Sequence, residues 1–269
     1  MMLLKNKNAI IYGAGGSLGS AVAKAFAQEG ARVFLTGPSI QSLEKVAGEI
    51  RDTGGKADID LVNALDEQSI KNHVEKVIHS KHSIDISFNA VGLEDVQDIP
   101  LIDMELNDFI RPITRAMQTQ FLTAKIVGSI MKTQRSGVIL SITATPGGMS
   151  YPNVGGFGPA CNAIEGFSKN LAAELGQSGV RVITIRSAGS PDSRPFQEAL
   201  DQNKEMADIF IRKLAEDTML NRLPSVKDIA NIAVFLASPH AAAITGVTID
   251  ATSGTTSGLN ASKIPIAFV

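Results

Sequence analysis

Short apolar, β-branched runs alternate along the chain with longer stretches whose apolar positions recur at helical spacing. Residues 9–12, 31–35, 84–88, 138–142, 180–185 and 246–249 read as strands, and 57–62 as a weaker seventh. Most are apolar at successive positions, so both of their faces need covering. Helical patterns lie between them, as at 17–29, 40–52, 66–79 and 164–176. This rhythm predicts a Rossmann-type α/β fold: a doubly wound, seven-stranded parallel sheet with helices on both faces. Mid-chain there is no Pro/Gly/Ser tract and no internal repeat, so residues 1–269 read as a single domain. Residues 190–221 interrupt the rhythm without a strand pattern, which suits a lid over a site.

Composition narrows the function classes. Of 269 residues, 44% are hydrophobic and 19% charged, enough for a large core and too balanced for a disordered chain. The net charge of −2 argues against a nucleic-acid footprint. No apolar run reaches the ~18 residues of a membrane span, and the one near the N-terminus is too short for a signal peptide. A cytoplasmic protein is expected. Cys161 is the sole cysteine, which excludes a disulfide framework and a CxxC metal site.

Directly after the first strand comes Gly13-Ala14-Gly15-Gly16-Ser17-Leu18-Gly19, and then a helical pattern opens. Glycines at such a turn let the backbone approach a pyrophosphate. The helix N-terminus offers it free N–H groups and the positive end of a dipole. The strand–turn–helix setting makes a dinucleotide site the better reading than an ordinary tight turn. An acid at the end of the second strand would select NAD, and a base would select NADP. Leu35-Thr36-Gly37-Pro38-Ser39 offers neither. No carboxylate there repels a phosphate, and Thr36, Ser39 and the next helix N-terminus can solvate one, so the balance leans to NADP.

These motifs and their order resemble the short-chain dehydrogenase/reductase family over nearly the whole chain. The loop resembles TGxxxGxG, with Tyr12 at the threonine and Ser17 at the middle glycine. Val62-Asn63-Ala64 resembles the adenine-binding Asp-Val turn, Asn89-Ala90-Val91-Gly92 matches NAxG, and Ser187-Ala188-Gly189 stands where the family has Asn-Pro-Gly. The resemblance implies that Gly13, Gly15, Ser17, Leu18, Gly19, Thr36, Asn63, Ala64, Asn89, Ala90, Gly92 and Gly189 form an NAD or NADP site. It also implies a carbonyl or alcohol substrate and a homo-oligomer, dimer or tetramer. Helix 164–176 and the apolar tail 264–269 would dock on a neighbouring subunit.

The catalytic positions depart from the family's Asn-Ser-Tyr-Lys set. The YxxxK motif reads Phe157-Gly158-Pro159-Ala160-Cys161, the serine position falls on Thr143, and the asparagine position falls on Ala116. In the family the tyrosine exchanges a proton as hydride moves, and the lysine lowers its pKa from about 10. Phe157 has no proton to give and an ordinary thiol carries no charge at neutral pH, so the standard mechanism is excluded. Lys169 lies roughly 12 Å further along a helix at 1.5 Å per residue, too far to substitute.

Tyr12 belongs to the cofactor loop, which leaves Tyr151 as the candidate phenolic acid, beside Thr143 as a hydroxyl for the substrate oxygen. A loop tyrosine packed against the lid is the plainer account of Tyr151. Cys161 reads as a small buried residue in the lysine's place, lacking the neighbouring cation a nucleophilic thiol needs. His73, His79, His82 and His240 match no metal spacing and read as solvated. Arg186 reads as an internal salt bridge before an anion site, and the Asn260-Ala261-Ser262 sequon as chance. Two functions remain. One is an NAD(P)-dependent oxidoreductase with a non-standard proton donor. The other is a catalytically inactive dinucleotide-binding or scaffold protein.

Overall fold

β1 (Asn8–Tyr12) has four fully buried residues in succession, Ala9 to Tyr12, which places it in the middle of a sheet covered on both sides. The computed structural model describes residues 2–258, and the tail and the Asn260 sequon lie outside them. The chain continues through α1 (Ser17–Gln28), β2 (Arg32–Gly37), α2 (Ile40–Asp52), β3 (Lys56–Leu61), α3 (Glu67–Lys81) and β4 (Ile86–Asn89). Then follow α4 (Leu106–Gln134), β5 (Gly137–Ala144), α5 (Phe157–Leu175), β6 (Val180–Ser187), α6 (Arg194–Gln202), α7 (Lys204–Glu216), α8 (Val226–Ala237) and β7 (Val247–Ala251).

The strands lie in the order β3-β2-β1-β4-β5-β6-β7, all parallel. Strand order reverses between β1 and β4, and a ligand crevice forms outside the carboxyl ends of strands at such a point. Two cores sandwich the sheet. Val22 and Phe26 of α1, Leu43 and Ile50 of α2 and Ile229 of α8 cover one face. Ile70 and Val74 of α3, Val127 and Met131 of α4 and Ala172 of α5 cover the other. Each large side chain so buried contributes about 1.5–3 kcal/mol.

Local signals set the helix ends. Ser39 caps α2 by accepting from Ser42 N, and Asp66 caps α3 by accepting from Gln68 N. Ser225 and Asp228 form a reciprocal capping box on α8. No helix among the described residues is long and apolar enough to cross a membrane.

Beyond the ends of some strands, the structure differs from the sequence reading at α5, at His73 and at Tyr12. α5 starts at Phe157 instead of at 164, because Pro159 stands in the first turn, where its missing N–H has no intrahelical partner to lose. The lid segment 190–221 folds as α6 and α7. His73 is buried, not solvated: α3 turns it under the sheet edge, where its Nδ1 meets Asp60 Oδ2 of β3 at 3.1 Å. Tyr12 ends β1 instead of entering the loop, and its side chain packs among Ile10, Phe34 and Val62 in the core facing α3 and α4. Burial pushes its pKa above the ordinary tyrosine range, and its hydroxyl lacks a partner among the described residues.

Candidate functional site

The β1–α1 turn is tight enough that side chains would not fit. Gly13 has φ +79°, and a Cβ there would run into the Ala90 carbonyl. A Cβ on Gly19 would strike the Gly13 carbonyl oxygen. This draws the turn against β4 and leaves the N-terminus of α1 open, with no side-chain cap at Gly16 and no acid in the first turn. A cleft of about 380 Å³ runs from here over Thr36–Ser39, past Val62–Leu65, to Ala90–Gly92. Its lining holds no carboxylate, and Arg115 and Arg194 border it. This glycine cradle fits the pyrophosphate of a dinucleotide, with Gly13, Gly15 and Gly16 in position to hold it.

Other expected cofactor residues are placed as follows. Ala64, Ala90 and Gly92 line the cleft, and so does Asn63, whose Oδ1 accepts from Leu65 N. Thr36 lines it too, with its hydroxyl donated inward to the Ile11 carbonyl, and beside it Ser42 donates to the Ser39 carbonyl and Ser39 to Gln41 Oε1. Asn89 is buried within the fold, donating to Thr123 Oγ1 and accepting from Val91 N. Ser17 Oγ accepts the backbone N–H of Arg194, tying the loop to the first residue of α6. Leu18 and Gly189 face a second cavity.

That cavity, about 600 Å³, lies beyond the carboxyl ends of β5 and β6, roofed by α6 and α7. Phe157, Phe196, Phe210, Ile211, Leu214 and Leu223 give it an apolar wall, with Phe196 and Phe210 stacked at 6.4 Å. Thr143, Tyr151 and Ser190 are among its polar lining, and the buried Ser190 hydroxyl has no partner among the described residues. Tyr151 is raised above the ordinary tyrosine pKa by partial burial and by Asp217, so its phenol stays protonated. Phe157 faces the same cavity.

Behind Thr143 lies a charge cluster. Thr143, Arg186 and Asp250 stand in one row across β5, β6 and β7, and α5 lowers Glu165 onto them. Thr143 Oγ1 donates to Glu165 Oε1 at 3.0 Å. Arg186 donates to both oxygens of Glu165, at 3.0 and 2.6 Å, to Asp250 Oδ2 at 3.0 Å and to the Gly147 carbonyl at 3.2 Å. The Glu165 bond raises the Arg186 pKa further. Burial alone would raise Asp250, but Thr252, Thr256 and Arg186 outweigh it and hold it low. Cys161 is buried one turn before Glu165, and burial pushes its thiol up to about 11. It is neutral at physiological pH. Ala116 packs against Ala160 and Ile164.

Sequence reasoning missed Glu165 and Asp250. The available signal was a lone acid one turn past Cys161, on a helix face otherwise made of small and apolar residues.

The profile of the enoyl-(acyl carrier protein) reductase family matches residues 13–256. An uncharacterized oxidoreductase of Bacillus subtilis (strain 168), YxbG, is 30% identical over 253 residues, covering 93% of this chain and 91% of the relative. The 3-oxoacyl-(acyl-carrier-protein) reductase FabG of Thermotoga maritima is 28% identical over 258 residues, covering 94% and 99%. Among solved structures, levodione reductase superposes with a TM-score of 0.87 at 23% identity, covering 94% of this chain and 98% of its own. NAD+-bound xylitol dehydrogenase gives 0.86 at 23%, covering 93% and 99%. At these identities the two structures speak for the fold alone.

Proposed function

The chain belongs to the short-chain dehydrogenase/reductase family, and from that premise we propose that it is an NAD(P)-dependent oxidoreductase acting on an apolar carbonyl or alcohol substrate. One observation carries the reading: the apolar cavity adjoins the glycine loop through Leu18 and Gly189 and includes the Thr143 and Tyr151 hydroxyls in its lining. When bound, the nicotinamide supplies or accepts hydride. The protein's part is to bind it along Gly13–Gly16, to hold the substrate under α6 and α7 away from water, and to manage one proton. Tyr151 is the proton donor in this reading, in place of Phe157. The absence of a carboxylate among the residues lining the cleft supports NADP, since nothing there repels an extra phosphate, while the bordering Arg115 and Arg194 are paired with Glu94 and Glu198. The FabG relative is named for a reductase of acyl chains on a carrier protein, which agrees with an apolar substrate.

The expected homo-oligomer, dimer or tetramer, is supported by the exposed Leu106, Ile110 and Phe121 along α4. Sedimentation would count the subunits.

A second reading, a dinucleotide-binding protein without turnover, draws on Phe157 and on the neutral Cys161. The test is a fluorescence titration with NADPH and NADH, followed by a carbonyl panel with the wild-type protein and Tyr151→Phe. Binding with turnover that falls at least about 100-fold in Tyr151→Phe supports the first reading. Binding without turnover selects the second, and no binding defeats both.

A further inference from the structure

The cavity under α6 and α7 has one charged residue in its lining, Asp98, and no lysine, arginine or histidine. Asp98 is exposed, so it sits where the cavity meets solvent, and its carboxylate makes no ion pair among the described residues. Its backbone N–H goes to the Asn153 carbonyl, which ties it to the loop that carries Tyr151. The charges around the cavity have the same sign. Asp217 lies near enough to Tyr151 to raise its pKa. The cluster behind Thr143 sets two carboxylates, Glu165 and Asp250, against the single guanidinium of Arg186. The N-terminus of α6 offsets little of this, because its first N–H is given to Ser17 Oγ and Pro195 has none. Between these charges the wall offers aromatic rings, Phe157 and the stacked Phe196 and Phe210, and a ring face attracts a cation. The Ser190 hydroxyl, without a partner among the described residues, serves a carbonyl or an N–H equally and does not choose between them.

We propose that this cavity is a site for an apolar organic cation, and that the substrate it selects is an iminium ion, the nitrogen counterpart of a ketone. An apolar anion is repelled by the charges around the cavity, and a neutral compound gains little from them. The iminium assignment, unlike the cation site itself, rests on the oxidoreductase reading. There it removes a demand on the protein. A ketone that takes up hydride must also draw a proton, from Tyr151. An iminium carbon that takes up hydride turns its C=N π pair into the nitrogen lone pair and needs none. The reductant is the reduced nicotinamide of that reading, and the product is the neutral amine.

Ligand-observed NMR on the purified protein tests the site with fused-ring probes of similar size: N-methyl-dihydroisoquinolinium, which carries a fixed charge, tetralone and naphthoate. The expected order is cation, ketone, anion, with the cation at least about tenfold tighter than tetralone. Asp98→Asn removes the charge and keeps a residue that tolerates the positive φ of this position. It should cut the cation's advantage to roughly threefold or less and leave tetralone unchanged, with a thermal melt to confirm folding. Tetralone or naphthoate binding as tightly as the cation overturns the proposal, as does an advantage that survives Asp98→Asn, or no binding by any probe. Incubation of the same probes with NADPH, read against the rate without protein, separates this from the parent reading. Ketone turnover without a cation preference defeats the proposal alone. A cation preference without turnover of either probe defeats the oxidoreductase reading alone, and ketone turnover with none of the iminium defeats the iminium assignment. A cation preference with amine formed bears out both.

Discussion

Replacing Glu165 by Gln removes one charge from the cluster behind Thr143 while keeping the shape of the side chain, so the cost is electrostatic rather than a cavity. The Glu165 side chain is 7% exposed and that of Arg186 15%, so solvent screens the pair little. Removing one member of a buried pair typically costs about 3–5 kcal/mol, because the other charge stays behind uncompensated. Arg186 keeps Asp250 and the Gly147 carbonyl, which places the cost at the lower end, about 3 kcal/mol. For a chain of this size each kcal/mol shifts the melting temperature by about 2–4 °C, so a fall of roughly 6–12 °C is expected. Calorimetry and urea unfolding would measure it. The double substitution Glu165→Leu with Arg186→Met should recover only part of the loss: the buried ion pair is replaced by an apolar one, but Asp250, the Gly147 carbonyl and the Thr143 hydroxyl each lose a partner. A single variant within about 1 kcal/mol of the wild type would refute the claim that this pair is buried and coupled.

Three further outcomes follow from the geometry. Gly19→Ala drives a methyl group into the Gly13 carbonyl; it should lower stability by about 1–3 kcal/mol and weaken NADPH at least about tenfold, and unchanged affinity in titration would count against the cradle. Cys161, with its thiol at about 11, should resist iodoacetamide at pH 8 in the native protein and react only in denaturant, so stoichiometric native labelling would contradict its burial. His73 is lowered, first by burial and against the pull of Asp60. The unfolded chain therefore takes up the proton first as pH falls below about 6.5, and stability, full above that value, declines by up to about 1.4 kcal/mol per unit. Melting curves from pH 7.5 to 5 should lose that slope in His73→Leu, and an identical slope would show that another group sets it.

Much of the fold was legible because parallel strands buried on both faces leave a continuous apolar record. β1 and α2 were readable to within a residue, α2 because Ser39 caps it and Leu43, Val46, Ala47 and Ile50 keep one face. Strand ends were harder. β5 and β6 run on through Thr143 and Arg186, polar residues that resemble loop but stay in the ladder because their side chains reach partners on α5 and β7. The glycine loop was legible from local spacing. The Thr143–Glu165–Arg186–Asp250 cluster was not, because its members come from four elements and only the sheet register brings them together. His73 failed for the same reason: a polar helix reads as solvated until Asp60 of a distant strand is placed beside it.

The position of β7 has a consequence for how the chain is made. Synthesis proceeds from the N-terminus, and the 59 residues between the end of β6 at Ser187 and the start of β7 at Val247 take roughly 3–12 s at 5–20 residues per second. During that interval β6 is the outer strand of the growing sheet, with unpaired ladder groups open to other nascent chains. Arg186 meanwhile has Glu165 but not Asp250. The arrival of β7 closes that edge and brings the second carboxylate in one event, so the charge cluster behind the cavity is completed late in biosynthesis. A ribosome stalled before residue 247 would hold a chain with its glycine cradle formed and its most aggregation-prone edge exposed.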